Sequence, residues 1–128
     1  MIRINLNIRA LIVALSILFG IVVPNFVKAD ELQDAVRVLN NRDFKTAYKM
    51  LAPLAEKGNA AAQLIVGMMY FKGKGIAKNI VQADKWLLIS EELGQEAGKK
   101  NRIFVERQMN SDQISKARKL AKSWLKKP

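Results

Sequence analysis

The 128-residue sequence contains no cysteine and no histidine, and only three prolines. Without cysteine there is no disulfide, no thiol nucleophile and no thiolate set for a structural zinc. Without histidine the usual general base, the commonest metal ligand and the side chain that titrates near neutrality are all missing. Carboxylates that could take over acid–base work stand as sequence neighbours, Asp30 with Glu31 and Glu91 with Glu92. Adjacent helical positions point about 100° apart, so neither pair converges on one substrate atom. No catalytic residue, metal site or cofactor site is assigned, and a cell-wall hydrolase ranks last among the functions this composition allows.

Acidic residues are also few: 11 Asp and Glu stand against 22 Lys and Arg, a net charge of +11. Such a field attracts anions without naming one. The charge is unevenly placed, because Arg3 and Arg9 precede an uncharged run, ALIVALSILFGIVV, that is followed by PNFVKA. A basic start, an apolar stretch and small residues at Val27 and Ala29 form the pattern of a secretory signal peptide over residues 1–29, cleaved after Ala29. The apolar run would make about 21 Å of helix, short of the ~30 Å hydrocarbon core. An uncleaved inner-membrane anchor over residues 10–23 is the alternative. No cysteine follows the run, which excludes a lipoprotein anchor. Residues 30–128 suffice for one domain of modest core, stabilised by packing alone.

Helical periodicity runs through that domain, with no strand alternation. Leu32, Ala35, Val36 and Leu39 form one stripe; Ala47, Tyr48, Leu51, Leu54 and Ala55 form the next, with a kink or loosened turn expected at Pro53. AAAQLIVGMMYFKG is apolar nearly all round and is expected at the centre of the core. NIVQADKWLLISEELG opens on an Asn79 cap. QEAGKKNRIFVERQM follows, with Ala97, Ile103, Phe104 and Met109 as its buried candidates. The last segment begins with Asn110 and Gln113 at capping-box spacing and carries Ile114, Ala117, Leu120, Ala121, Trp124 and Leu125 on one stripe. Trp86 and Trp124 are assigned to the core.

A shift of 36 residues superposes FKTAYKMLAPLAEKGNAAAQ on IVQADKWLLISEELGQEAGK. Ala47 meets Ala83, Leu51 meets Leu87, Glu56 meets Glu92, Gly58 meets Gly94 and Ala61 meets Ala97. A period in the thirties with two helices per unit marks an αα solenoid.

Within it, Leu54, Ala55, Glu56, Gly58, Asn59, Ala62 and Gln63, then Gly67, Met69 and Tyr70, then Gly73, Gly75 and Ile76, then Ala83 and Trp86, resemble the Sel-one-like repeat, a relative of the tetratricopeptide repeat. Val66 and the pair Asn79–Ile80 depart mildly from that pattern. The resemblance implies an all-α, right-handed solenoid of about six helices, with a best repeat over 44–87, a degenerate one over 80–109 and a capping helix over 111–127. It implies protein–protein contacts without shared catalytic residues. Gly58, Gly67, Gly73, Gly75 and Gly94 are read as its structural turn glycines.

The stretch MYFKGKGIAKN also invites a phosphate-loop reading, which fails on spacing. Five residues separate Gly67 from Gly73, Lys74 is followed by Gly75 rather than Ser or Thr, and a helix precedes the loop. Gly73 is instead expected to end a helix in the left-handed region and Gly75 to reverse the chain.

The final segment bears Lys116, Arg118, Lys119, Lys122, Lys126 and Lys127, a basic amphipathic helix suited to an acidic partner or an anionic surface. The leading expectation is an exported, periplasmic or secreted, non-enzymatic repeat protein that binds a protein partner on the concave side of its stacked first helices. Electrostatic binding to lipid headgroups or cell-wall polymer through the basic helix is the rival. Nucleic acid comes third, because an exported chain rarely meets it, and no small-molecule substrate is evident.

Overall fold

The computed structural model describes the backbone of residues 24–128 and the side chains of residues 30–128. Most of the expected leader, and the alternative anchor over residues 10–23, lie outside the described residues. The chain divides after Asp30 into two units, and the packing below is that of Glu31–Pro128. Six helices follow in order: α1 Pro24–Asn40, α2 Phe44–Glu56, α3 Ala60–Lys72, α4 Ile80–Glu92, α5 Glu96–Glu106 and α6 Ser111–Leu125. There is no strand among the described residues.

The 36-residue period reappears in the hydrogen bonds that start and stop the helices. Asp43 caps α2 by accepting from the Thr46 N–H at 3.2 Å, and Asn79 caps α4 by accepting from the Gln82 N–H at 3.0 Å. Each side chain satisfies a first-turn donor that has no partner inside its own helix. After α2 the N–H of Gly58 donates to Ala55 O and that of Asn59 to Leu54 O; after α4 the N–H of Gly94 donates to Glu91 O and that of Gln95 to Ser90 O. Both glycines have φ of +93°. Two αα units, α2–α3 and α4–α5, are therefore built on one local plan. α2 runs on through Pro53, which falls in its last turn, and ends at Glu56.

The turn after α3 is tighter. Gly73 and Gly75 have φ of +64° and +78°, and the N–H groups of Lys74 and Asn79 donate to Met69 O and Tyr70 O at 3.0 Å each. A methyl group on Gly75 would fall on the Phe44 carbonyl, so this turn is pressed against the start of α2. Gly67 belongs to no turn. It lies inside α3 with Leu87 and Ala83 of α4 where its side chain would be, so its role is close helix approach.

The central helix is α4, which packs against α3, α5 and α6. The expectation from apolar content places α3 there instead. α4 wins because its faces toward α3 and α5 are closed by glycine: Gly67 approaches the Leu87 side chain, while Gly98 of α5 sits against Leu87 O and Glu91 N. Ala83, Trp86, Leu87 and Ile89 are buried as a result. On α3, by contrast, Leu64, Ile65, Met68 and Phe71 are only half-buried.

α5 corrects a second expectation. Its buried residues are Gly98 and Val105, seven apart and so on one face, whereas Ala97 is exposed and Ile103 and Phe104 are 41% and 51% exposed. Met109 is half-buried against the second core cluster. The backbone contact at Gly98 fixes the rotation of the helix, and the larger apolar residues turn outward.

Candidate functional site

α6 starts with a reciprocal cap. The Asn110 side chain accepts from the Gln113 N–H at 2.9 Å, and the Gln113 side chain accepts from the Asn110 N–H at 3.0 Å. Ala117 and Ala121 are fully buried, and small side chains there let α6 lie close along α4. Leu120 and Trp124 border that face. Ser115, Arg118, Lys119, Lys122 and Lys126 recur at three- and four-residue spacing on the opposite side, and all of them are exposed. Lys116 and Lys127 are exposed on its flank. The helix stops at Leu125, so Lys126 and Lys127 lie just past its last residue rather than within a helix to 127.

At its far end α6 spans the two first helices. The Trp124 ring meets Trp86 of α4 edge-on with centroids 5.9 Å apart, and its indole N–H donates to Glu56 at the end of α2 at 2.9 Å. Lys85 holds its ammonium 4.2 Å from the Trp86 ring centre. Burial pulls the Lys85 pKa below the ordinary lysine range, with Glu56 opposing that shift. The side of α2 and α4 expected to be open for a partner is bridged here by α6 itself.

Beneath the basic face lies a group of charges that come from three separate helices. Arg102 of α5 donates through Nε to Glu91 at 2.6 Å and through Nη1 to Glu106 at 2.8 Å; Arg118 of α6 reaches the same Glu106 oxygen at 3.4 Å. The two carboxylates hold Arg102 firmly protonated, its pKa raised chiefly by the Glu91 hydrogen bond. Asp84 of α4 is fully buried beside them, and among the described residues neither of its carboxylate oxygens has a hydrogen-bond partner. Burial, reinforced by repulsion from Glu106, pushes Asp84 up to about 6, against the pull of Arg102 and Arg118.

Of the six basic candidates, Arg118 is thus drawn partly into this internal group, while Lys119, Lys122 and Lys126 face outward. Asp84 was legible in principle, since it stands three residues before the buried Leu87 on one helical face. Its partners come from α5 and α6, which no local pattern reveals. The arrangement offers surfaces of charge and apolar side chain.

No family model matches the sequence, and no curated protein matches it. Among solved structures the chain is similar to the crystal structure of c5321, a protective antigen present in uropathogenic Escherichia coli strains and displaying an SLR fold. The two share 26% sequence identity with a TM-score of 0.74, over 78% of this chain and 22% of that one. The chain therefore matches about a fifth of the length of this larger protein.

Proposed function

We propose that this chain, a Sel-one-like repeat protein, is an exported, non-enzymatic module that binds a protein partner in the cell envelope. The observation that carries the reading is the repeated unit itself. The caps that start α2 and α4, the glycine turns that end them and the buried positions of α2–α5 recur at 36 residues, and repeat folds of this kind serve by presenting extended surface. Export rests on the pattern of residues 1–29, and the non-enzymatic reading rests on the lack of histidine and cysteine together with the fold. Affinity capture from envelope extracts over a range of salt tests it: a defined protein recovered reproducibly supports the module, and recovery of none at any salt refutes it.

A second reading has its own observation. Lys119, Lys122 and Lys126 form an outward cationic stripe on a helix whose opposite side is anchored by Ala117 and Ala121. That stripe suits lipid headgroups or anionic wall polymer. Binding of this kind falls steeply with salt, and retention at ~0.5 M salt counts against it.

A further inference from the structure

The outward side of α3 carries an apolar strip that the packing of the described helices leaves half-buried. Ala61, Leu64, Ile65, Met68 and Phe71 share one helical face, and none is fully buried. Toward α1 the strip deepens into a notch of about 180 Å3 walled by Leu39, Phe44, Ile65, Met68 and Met69. Toward α5 it continues onto Phe104, whose ring meets Phe71 edge-on at 5.7 Å.

The rim of this strip is basic. Lys72 and Lys74 complete the lining of the notch, and Lys78 lies with Nζ 5.5 Å from the Phe71 ring centre. Lys100 and Arg107 fall on the same face of α5 as Ile103 and Phe104. Asp43, next to Phe44 of the notch, has its carboxylate engaged in capping α2, and Glu96 lies in the first turn of α5. Lys74 is also held in place: its Nζ stands 4.9 Å from the Phe44 ring centre, on the turn fixed by Gly73 and Gly75. A cation prepositioned in this way loses little freedom when it meets a carboxylate.

We propose that this second-helix side of the repeat is a docking site for an acidic segment of a partner protein, which seats one Leu, Met or Phe side chain in the notch and pairs its carboxylates with Lys72 and Lys74. An apolar cavity of about 150 Å3 holds a benzene-sized group, so the notch matches a single large apolar side chain. A second copy of the chain would bring a rim of the same sign against this one and is repelled. A flat bilayer surface leaves a recessed notch unfilled. The site deepens the protein-binding reading and rests on it.

The test is selection of random twelve-residue peptides displayed on phage against the purified full chain. An enriched peptide is then labelled with fluorescein and titrated against variants. The site predicts enriched sequences with an apolar residue flanked by Asp or Glu. It predicts a loss of about tenfold or more in affinity for K72E/K74E, an exposed pair whose reversal leaves the circular dichroism unchanged. Met68→Asp, placed in the notch wall, weakens binding similarly, and K119E/K122E on α6 leaves it within about twofold. Absence of the acidic–apolar pattern, or full binding by K72E/K74E, overturns the proposal. So does binding of the chain to phosphatidylglycerol vesicles that K72E/K74E abolishes, which would assign the surface to a membrane. Peptides lost only on K119E/K122E overturn the notch and leave the protein-binding reading standing. Crosslinking in cells, which presupposes no one surface, decides that reading separately.

Discussion

Replacing Asp84 by Asn tests whether a buried, unpartnered carboxylate sits among α4, α5 and α6. Its pKa is raised from 3.8 to about 6 in the folded chain. A carboxyl group raised by folding favours the native state most when protonated, below the unfolded value of 3.8, and that contribution is lost as pH rises through about 6. At about 1.4 kcal/mol per pKa unit, the native state carries a cost of about 3 kcal/mol above pH ~7. The Asn side chain carries no charge at any pH. Its amide brings a constant term from its own buried N–H groups, of about 1 kcal/mol, which does not vary with pH.

The variant is therefore expected to gain about 2 kcal/mol relative to the native chain between about pH 4 and pH 7.5. Urea unfolding followed by the fluorescence of Trp86 and Trp124 at the two pH values measures the difference directly. At the higher pH the net gain corresponds to a melting temperature raised by on the order of 10 °C in a domain of this size. An Asn variant whose relative stability is the same at both pH values, or is lower at the higher one, refutes the placement of Asp84.

Three further substitutions probe the helix contacts, and a fourth the basic face. Gly75→Ala is expected to cost about 2–4 kcal/mol, since it combines a left-handed backbone with overlap on the Phe44 carbonyl, and thermal unfolding reads the loss. Gly98→Ala gains about 1 kcal/mol of helix propensity yet is expected to destabilise by about 1–3 kcal/mol net, because its neighbours are the backbone of Leu87 and Glu91. Gly67→Ala is likewise expected to destabilise by about 1–3 kcal/mol, because the added methyl meets the buried Leu87 side chain at 2.9 Å and the Ala83 carbonyl at 3.1 Å; the denaturant midpoint reads the loss. K119E/K122E should leave stability within about 0.5 kcal/mol, both residues being exposed, while abolishing any binding to phosphatidylglycerol vesicles measured at low salt.

Much of the fold was legible because its signals are local. The caps at Asn79 and Asn110, the reversal at Gly73 and Gly75, and the repeat of Gly58 at Gly94 each depend on residues within a few positions. The face of α5 is misread from sequence because a short polar helix with few apolar residues gives a weak stripe. Its orientation is set by what Gly98 lets approach, and a missing side chain leaves no hydrophobic mark. Gly67 resembles a turn residue for a related reason: sequence marks a glycine but does not distinguish a left-handed turn from a helix crossing. The basic helix is visible in composition, but Arg118 reaching Glu106, and α6 bridging Trp86 to Glu56, are long-range facts of packing. The apolar strip of α3 is visible as an all-round apolar helix. That it is left half-buried follows from α4, not α3, taking the centre.

The most direct test of the protein-binding reading is photocrosslinking in living cells, with a photoreactive phenylalanine analogue introduced at Lys72 in one strain and at Lys119 in another. Both positions are exposed, one beside the α3 notch and one on the basic face of α6. Mass spectrometry of the irradiated envelope should show a discrete protein adduct from at least one position. Adducts to lipid or wall polymer alone, or no adduct from either, contradict a protein-binding module.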